Sequence, residues 1–359
     1  MIVRSIFVIV SALCLAMGGL ATSSRVVVIG ASVSDGFGVR FRTTLADGSR
    51  PTTNMNVAQL LRLAANDPTI VVTSHATGRF FGNPQRFSRE SVQSAIEDKP
   101  TMVLAIDWIF WNTYGLHGVD DKTIQNCDDR MALLQSGFVA LQPLIATGTM
   151  IVLGDIPDMQ GAVGGGMISQ SMVPDAACLA ALNAKLREWA ATQPTVVLMS
   201  LSDVVQKTAI KQPIHAGNRD WCEADLGPML QKDRLHPTLN GTLAVIAAAL
   251  DAADRGKGEE AKVSTQFNLD PTFIRERLTE QLKKAQLSDA SAPVKETLGA
   301  SSDAADSTTS STSTTSSTSS TKPTSSTKPT PSTSPTSTNP SQDPAAPPFV
   351  GGSSSPRSP

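Results

Sequence analysis

Aromatic side chains are scarce in this chain, 4% of 359 residues with a single tyrosine, and so are histidine and cysteine, at four each. The formal net charge is only -2, with no polyacidic run and no basic stripe, which argues against a nucleic-acid binder. No Cys-x-x-Cys occurs, so a zinc-ribbon or thioredoxin-like reading has no footing. The dinucleotide glycine fingerprint and the phosphate-loop lysine pattern are both missing. No metal and no cofactor is expected, because Asp155 and Asp158 have no partners at metal-ligand spacing and read as loop-shaping residues. No internal repeat is visible.

What is present is unevenly distributed. Arg4, the apolar and small stretch Ile6 to Met17, and the small-x-small triplet Gly19-Leu20-Ala21 read residues 1–21 as a cleavable export signal. The apolar stretch is short for a bilayer span, so no stable membrane insertion is expected once the signal is removed. Residues 291–359 are dominated by Ser, Thr and Pro, which offer too little apolar surface to offset the entropy of ordering. This tail is expected to be disordered and to serve for cell-envelope association. Export would leave Cys127, Cys178 and Cys222, enough for one disulfide and one thiol, and spacing does not decide the pairing.

Between these ends, short apolar runs alternate with helix-length amphipathic segments. Arg25 to Ile29, Ile70 to Val72, Met102 to Ile106, Met150 to Leu153 and Val196 to Met199 read as buried strands. Helical patterns separate them near Val57–Ala64, Ser88–Glu97, Arg130–Ile145 and Cys178–Ala191, and a last one runs from about Pro237 to Ala253. Right-handed crossovers then give an α/β domain over 24–256, a parallel sheet covered by helices on both faces. Residues 257–290, with Ile274, Leu278 and Leu282 at helical spacing, are expected as a helical appendage. Ligands of such sheets bind at the carboxyl ends of the strands, which singles out the loops there.

Two of those loops carry chemistry. The first reads Gly30-Ala31-Ser32-Val33-Ser34-Asp35-Gly36 and puts a serine between small residues just past a strand. The last reads Asp233-Arg234-Leu235-His236-Pro237, ahead of the final helix. A neutral hydroxyl needs an adjacent base, and the base needs an orienting carboxylate, which this second spacing supplies. Trp108, Phe110, Trp111 and Tyr114 cluster after the third strand, either as a wall for an acyl chain or sugar ring or as plain core. The stretch Gly161–Gly166 is a candidate flap.

Together the two loops resemble the SGNH (GDSL-like) hydrolases, with Gly-Asp-Ser-Leu-x-x-Gly first and Asp-x-x-His last. The resemblance implies a three-layer α/β/α sandwich with a five-stranded parallel sheet in flavodoxin-like order. It implies Ser32 as nucleophile, His236 as base and Asp233 as its orienter, with Gly78 supplying a backbone donor to the oxyanion. It would place an Asn donor where this chain has Asp107, and an ionised Asp repels the charge that an Asn stabilises. Asp107 therefore has a different task or must be protonated by burial, and Asn112 is the nearby amide that could substitute. The expected activity is that of a secreted, periplasmic or cell-envelope esterase or deacylase, working through an acyl-enzyme on a small-molecule or carbohydrate ester. The alternative is a weak or inactive module of the same fold that binds a glycan or cell-envelope ligand. Ala31 and Asp107 favour that alternative, whereas the intact Ser32, Asp233 and His236 oppose it.

Overall fold

The β-branched run Arg25–Val28 forms β1, an interior strand of the sheet buried from Val26 onward. The computed structural model describes residues 24–119, 121–257 and 262–291; the expected signal and the Ser/Thr/Pro tail lie outside them. Four more strands follow: β2 Val71–Ser74, β3 Met102–Ala105, β4 Met150–Gly154 and β5 Val196–Met199. All pairings among them are parallel, and the order across the sheet is β2-β1-β3-β4-β5, the flavodoxin-like arrangement. The strand runs read from the sequence match these to within a residue or two.

Alternation along each strand splits the core in two, because successive side chains point to opposite faces. Val26, Val28, Leu104 and Val152 face one side, where they meet α1 (Val57–Ala64) and α6 (Leu239–Lys257). Val27, Ile29, Val103 and Ile151 face the other, against α2 (Pro84–Glu97), α3 (Cys127–Ile145) and α4 (Ala176–Ala191). That is the three-layer α/β/α sandwich.

The helices start where their caps dictate rather than where the apolar pattern begins. Asn83 accepts from the Arg86 amide ahead of Pro84, which starts α2 four residues before Ser88. Asn126 and Asp129 form a capping box that starts α3 at Cys127. α6 is buried nearly all round, Leu243, Ala244, Ile246 and Leu250 included, as a helix apolar on every side should be.

Three features were not expected from the sequence: the hairpins Arg40–Arg42/Thr52–Asn54 and Ile214–Ala216/Arg219–Trp221, and helix α5 (Leu201–Ala209). Their strands are three residues long, too short for an alternating pattern to show. The last helix, α7 (Pro271–Ser291), is more than an appendage. Its Ile274 and Leu278 are fully enclosed in the same core as α1 and α6, and Arg277 donates to the Leu63 carbonyl.

Cys127 and Cys178 are joined in a disulfide with Cα atoms 5.6 Å apart, tying the start of α3 to the start of α4, and Cys222 is the free thiol. Among the described residues, no helix is long and apolar enough to cross a membrane, and no cluster of side chains is arranged to hold a metal ion.

Candidate active site

The loop after β1 turns back on itself through helix-like hydrogen bonds, Asp35 N–H to the Ala31 carbonyl and Phe37 N–H to the Ser32 carbonyl, both 2.8 Å. This leaves Ser32 at the sheet's carboxyl edge. The turn is held from outside by Asp107, at the end of β3. Its Oδ1 accepts from the Ala31 N–H (3.0 Å) and the Ser34 hydroxyl (2.5 Å), and its Oδ2 from the Val33 N–H (2.8 Å). A longer contact from the Ser34 N–H completes the set. Gly30 makes room for this: a Cβ there would come within 2.3 Å of Asp107 Oδ1.

Asp107 is thus not an oxyanion donor. Burial pushes its carboxyl above the ordinary range, and the donors around it work the other way by favouring the charged form. Both oxygens are engaged by the loop's own donors. Asn112 does not take its place either, because its side-chain amide donates to the Ser88 hydroxyl and the Trp108 carbonyl in the buried layer under α2.

The second loop is self-contained. Asp233 Oδ1 accepts from the Leu235 and His236 amides at 3.1 Å each, shaping the turn, while Oδ2 accepts from His236 Nδ1 at 2.7 Å. Arg234 takes a left-handed backbone conformation (φ 57°) so that Asp233 and His236 can face the same way. Burial disfavours the Asp233 charge, but the hydrogen bonds from the His236 ring and from the two amides prevail and hold the carboxyl below its ordinary range. The imidazole is fully buried, and its Nε2 lies 2.9 Å from Ser32 Oγ.

Ser32, His236 and Asp233 are therefore brought together, although 204 positions separate serine and histidine. With Nδ1–H donated to Asp233, Nε2 presents its lone pair to the serine hydroxyl, the arrangement that lets an imidazole withdraw that proton. The Ser32 N–H makes no hydrogen bond among the described residues.

Gly78 departs from its expected part. Its N–H is donated to Asp35 Oδ2 at 2.8 Å, so the amide is already occupied. Partial enclosure raises the Asp35 carboxyl, opposed by this bond from Gly78 and reinforced by the charge of Asp107. Asp35 lies within the first loop, but a bond between loops 43 residues apart leaves no trace in sequence spacing.

The aromatic cluster divides. Trp108 is core: it is fully buried, donates its ring N–H to the Ser91 hydroxyl and meets Phe80 edge-on, so it is no substrate wall. Tyr114 is equally enclosed and bonds the Pro157 carbonyl. Trp111 instead lines a cavity that opens on Ser32. Phe37 packs on the His236 ring with centroids 4.5 Å apart and planes tilted by 37°, shielding it from water while 47% exposed itself. Gln231 pins this contact by donating to the Phe37 and Pro237 carbonyls. The candidate flap packs on the second loop, where a Cβ on Gly165 would come within 2.4 Å of the Asp233 carbonyl oxygen. Asp158 bonds within its own loop, accepting from the Gln160 amide at 2.8 Å, whereas Asp155 reaches across to α5 and accepts from the Ser202 amide and hydroxyl. His75 pairs with Asp98 at 2.8 Å, a partner its sequence surroundings did not disclose.

No protein-family model matches the sequence, and no curated protein matches it significantly. Solved structures similar to the chain include one described as a GDSL-like lipase from Parabacteroides merdae, with 12% identity, TM-score 0.41, 64% of this chain and 95% of that one. A catalytic mutant of an acetylxylan esterase from Geobacillus stearothermophilus is similar at 17% identity and TM-score 0.39, over 64% of this chain and 93% of that one. A protein described as an acylhydrolase from Bacteroides fragilis is similar at 16% identity and TM-score 0.38, over 65% and 87%.

Proposed function

We propose that the chain is a serine hydrolase of the SGNH type that cleaves carboxylic esters through an acyl-enzyme. The observation that carries this is the 2.9 Å approach of His236 Nε2 to Ser32 Oγ, with Asp233 2.7 Å from the other ring nitrogen. In the first step Ser32 Oγ bonds to the ester carbonyl carbon while its proton passes to Nε2. The carbonyl oxygen takes up negative charge facing the Ser32 N–H. Collapse breaks the bond to the alcohol oxygen, which leaves with the proton from His236. Water, deprotonated at the same nitrogen, then releases the acyl group and restores Ser32. Asp233 keeps the ring in the required tautomer and stabilises the imidazolium formed between these steps.

The substrate in this reading is a small-molecule or carbohydrate ester, and the enzyme works outside the cytoplasm, secreted or held at the cell envelope through its tail. Residues 1–21 support export, and the Cys127–Cys178 disulfide suits an oxidising compartment. Mass spectrometry of the exported protein would read whether its N-terminus begins after Ala21.

A fluorophosphonate probe tests the chemistry. Labelling should vanish in Ser32→Ala and fall sharply in His236→Ala. A folded wild-type protein that takes no label would overturn the enzyme reading in favour of a ligand-binding module.

A further inference from the structure

Beside Ser32, the carboxyl edge of the sheet opens into a narrow cavity of about 50 Å³. Phe110 and Trp111 form one wall, Leu201, Val204 and Val205 of α5 a second, and Val245 of α6 closes it. Apart from the Trp111 ring N–H, only three of its lining residues carry polar side-chain atoms, Ser32, Asp107 and Thr208. Each of the three already has a partner within the protein. Ser32 is engaged with His236, Asp107 with the first loop, and the Thr208 hydroxyl donates to the Val204 carbonyl at 2.7 Å. A sugar hydroxyl entering here would lose its bonds to water, and beyond the lone pairs of Thr208, whose proton is committed to Val204, the lining offers it little in exchange. A hydrocarbon loses nothing. On the same measure a single water-sized group needs about 10–15 Å³, so a cavity of about 50 Å³ takes a chain of a few carbons and not a lipid tail.

We infer that this cavity is the acyl pocket, and that it selects a short straight-chain acyl group of butyryl size over acetyl. The inference rests on the proposed esterase function and adds the class of acid that is cleaved. The alcohol part of the ester stays outside the pocket. A groove of about 700 Å³ shares the Met159 and Leu230 walls and carries Gln206 and Arg234, polar side chains suited to a hydroxylated alcohol.

The test is a series of p-nitrophenyl esters on the full exported chain. Butyrate should exceed acetate in kcat/KM by about tenfold, the effect of two buried methylenes, and octanoate should fall below butyrate. Val204→Phe, which fills the cavity, should reverse the order of butyrate and acetate. Val204→Ala, which widens it, should move the preference toward longer chains and serves if the larger side chain prevents folding. Acetate cleaved as well as butyrate by a wild-type protein that takes the fluorophosphonate label would overturn the pocket and spare the esterase. If no ester is cleaved and no label taken, the esterase reading fails by itself. The pocket is then judged by melting temperature in butyrate against equal acetate: a larger rise with butyrate upholds it, and equal shifts overturn it.

Discussion

The loop that carries Ser32 and the loop that carries His236 sit on one sheet edge but are held in opposite ways. The histidine loop shapes itself: Asp233 binds two amides and the ring within three residues of its own position. The serine loop leaves its shaping to a carboxylate from a neighbouring strand, Asp107, 73 to 76 positions away. In the resembling family an Asp precedes the serine, where this chain has Ala31, and an Asn stands at the third-strand position, where this chain has Asp107. Here the carboxylate that shapes the serine loop comes from the segment just after β3. A charge that looked like a handicap for oxyanion binding is thereby spent on organising the nucleophile. The lesson is that a residue departing from an expected motif can hold the neighbouring loop instead of facing the reacting atoms.

Breaking the self-contained loop should have the largest effect. Asp233→Asn removes the acceptor that fixes the His236 tautomer, and kcat should fall on the order of 10³–10⁴ while the fold persists; near-normal turnover would remove Asp233 from the machinery. A control outside both loops comes next. Cys127→Ser with Cys178→Ser opens a bridge spanning 51 positions, and chain entropy predicts a loss of about 4 kcal/mol in denaturant unfolding. Turnover of the protein that remains folded should be retained, which separates general stability from site geometry.

Asp107→Asn strikes the borrowed support. An amide has a single acceptor oxygen, so at least one loop N–H would face another donor. Stability should drop by about 1–3 kcal/mol, with turnover lowered in step. Markedly higher turnover in this variant would restore Asp107 to the oxyanion site.

The smallest effect is in pH. Because the folded-state pKa of Asp233 is depressed, its stabilising contribution is complete above the unfolded value, about 3.9, and is lost as pH falls through the lower folded value. The stability gap between wild type and Asp233→Asn should stay constant from neutrality down to about pH 5 and close below about pH 4. Denaturant midpoints across that range would show it, and a gap that closed on raising the pH would contradict the assigned direction.

Much of this site is legible in the sequence because its local pieces are short. The Asp233-to-His236 spacing, the β-branched run before Gly30 and the strand–helix alternation each depend on neighbours in the chain. What is not legible depends on contacts across the fold. Trp108 and Trp111 are three residues apart in one aromatic cluster, yet one is packed beneath α2 and the other faces the cavity at Ser32. Gly78 sits after the second strand as expected, yet its amide is taken by Asp35. The Cys127–Cys178 pairing was one of several that spacing allowed.

From its residues alone the chain determined the α/β class, the sheet's strands and the identity of the serine, histidine and aspartate, because backbone periodicity and short-range hydrogen bonding are written locally. Tertiary structure decided the task of Asp107, the occupied Gly78 amide, the shielding of His236 by Phe37 and the hydrocarbon lining beside Ser32. Those depend on which groups meet across the sheet edge, where burial and partner geometry, rather than residue type, set what a side chain can do.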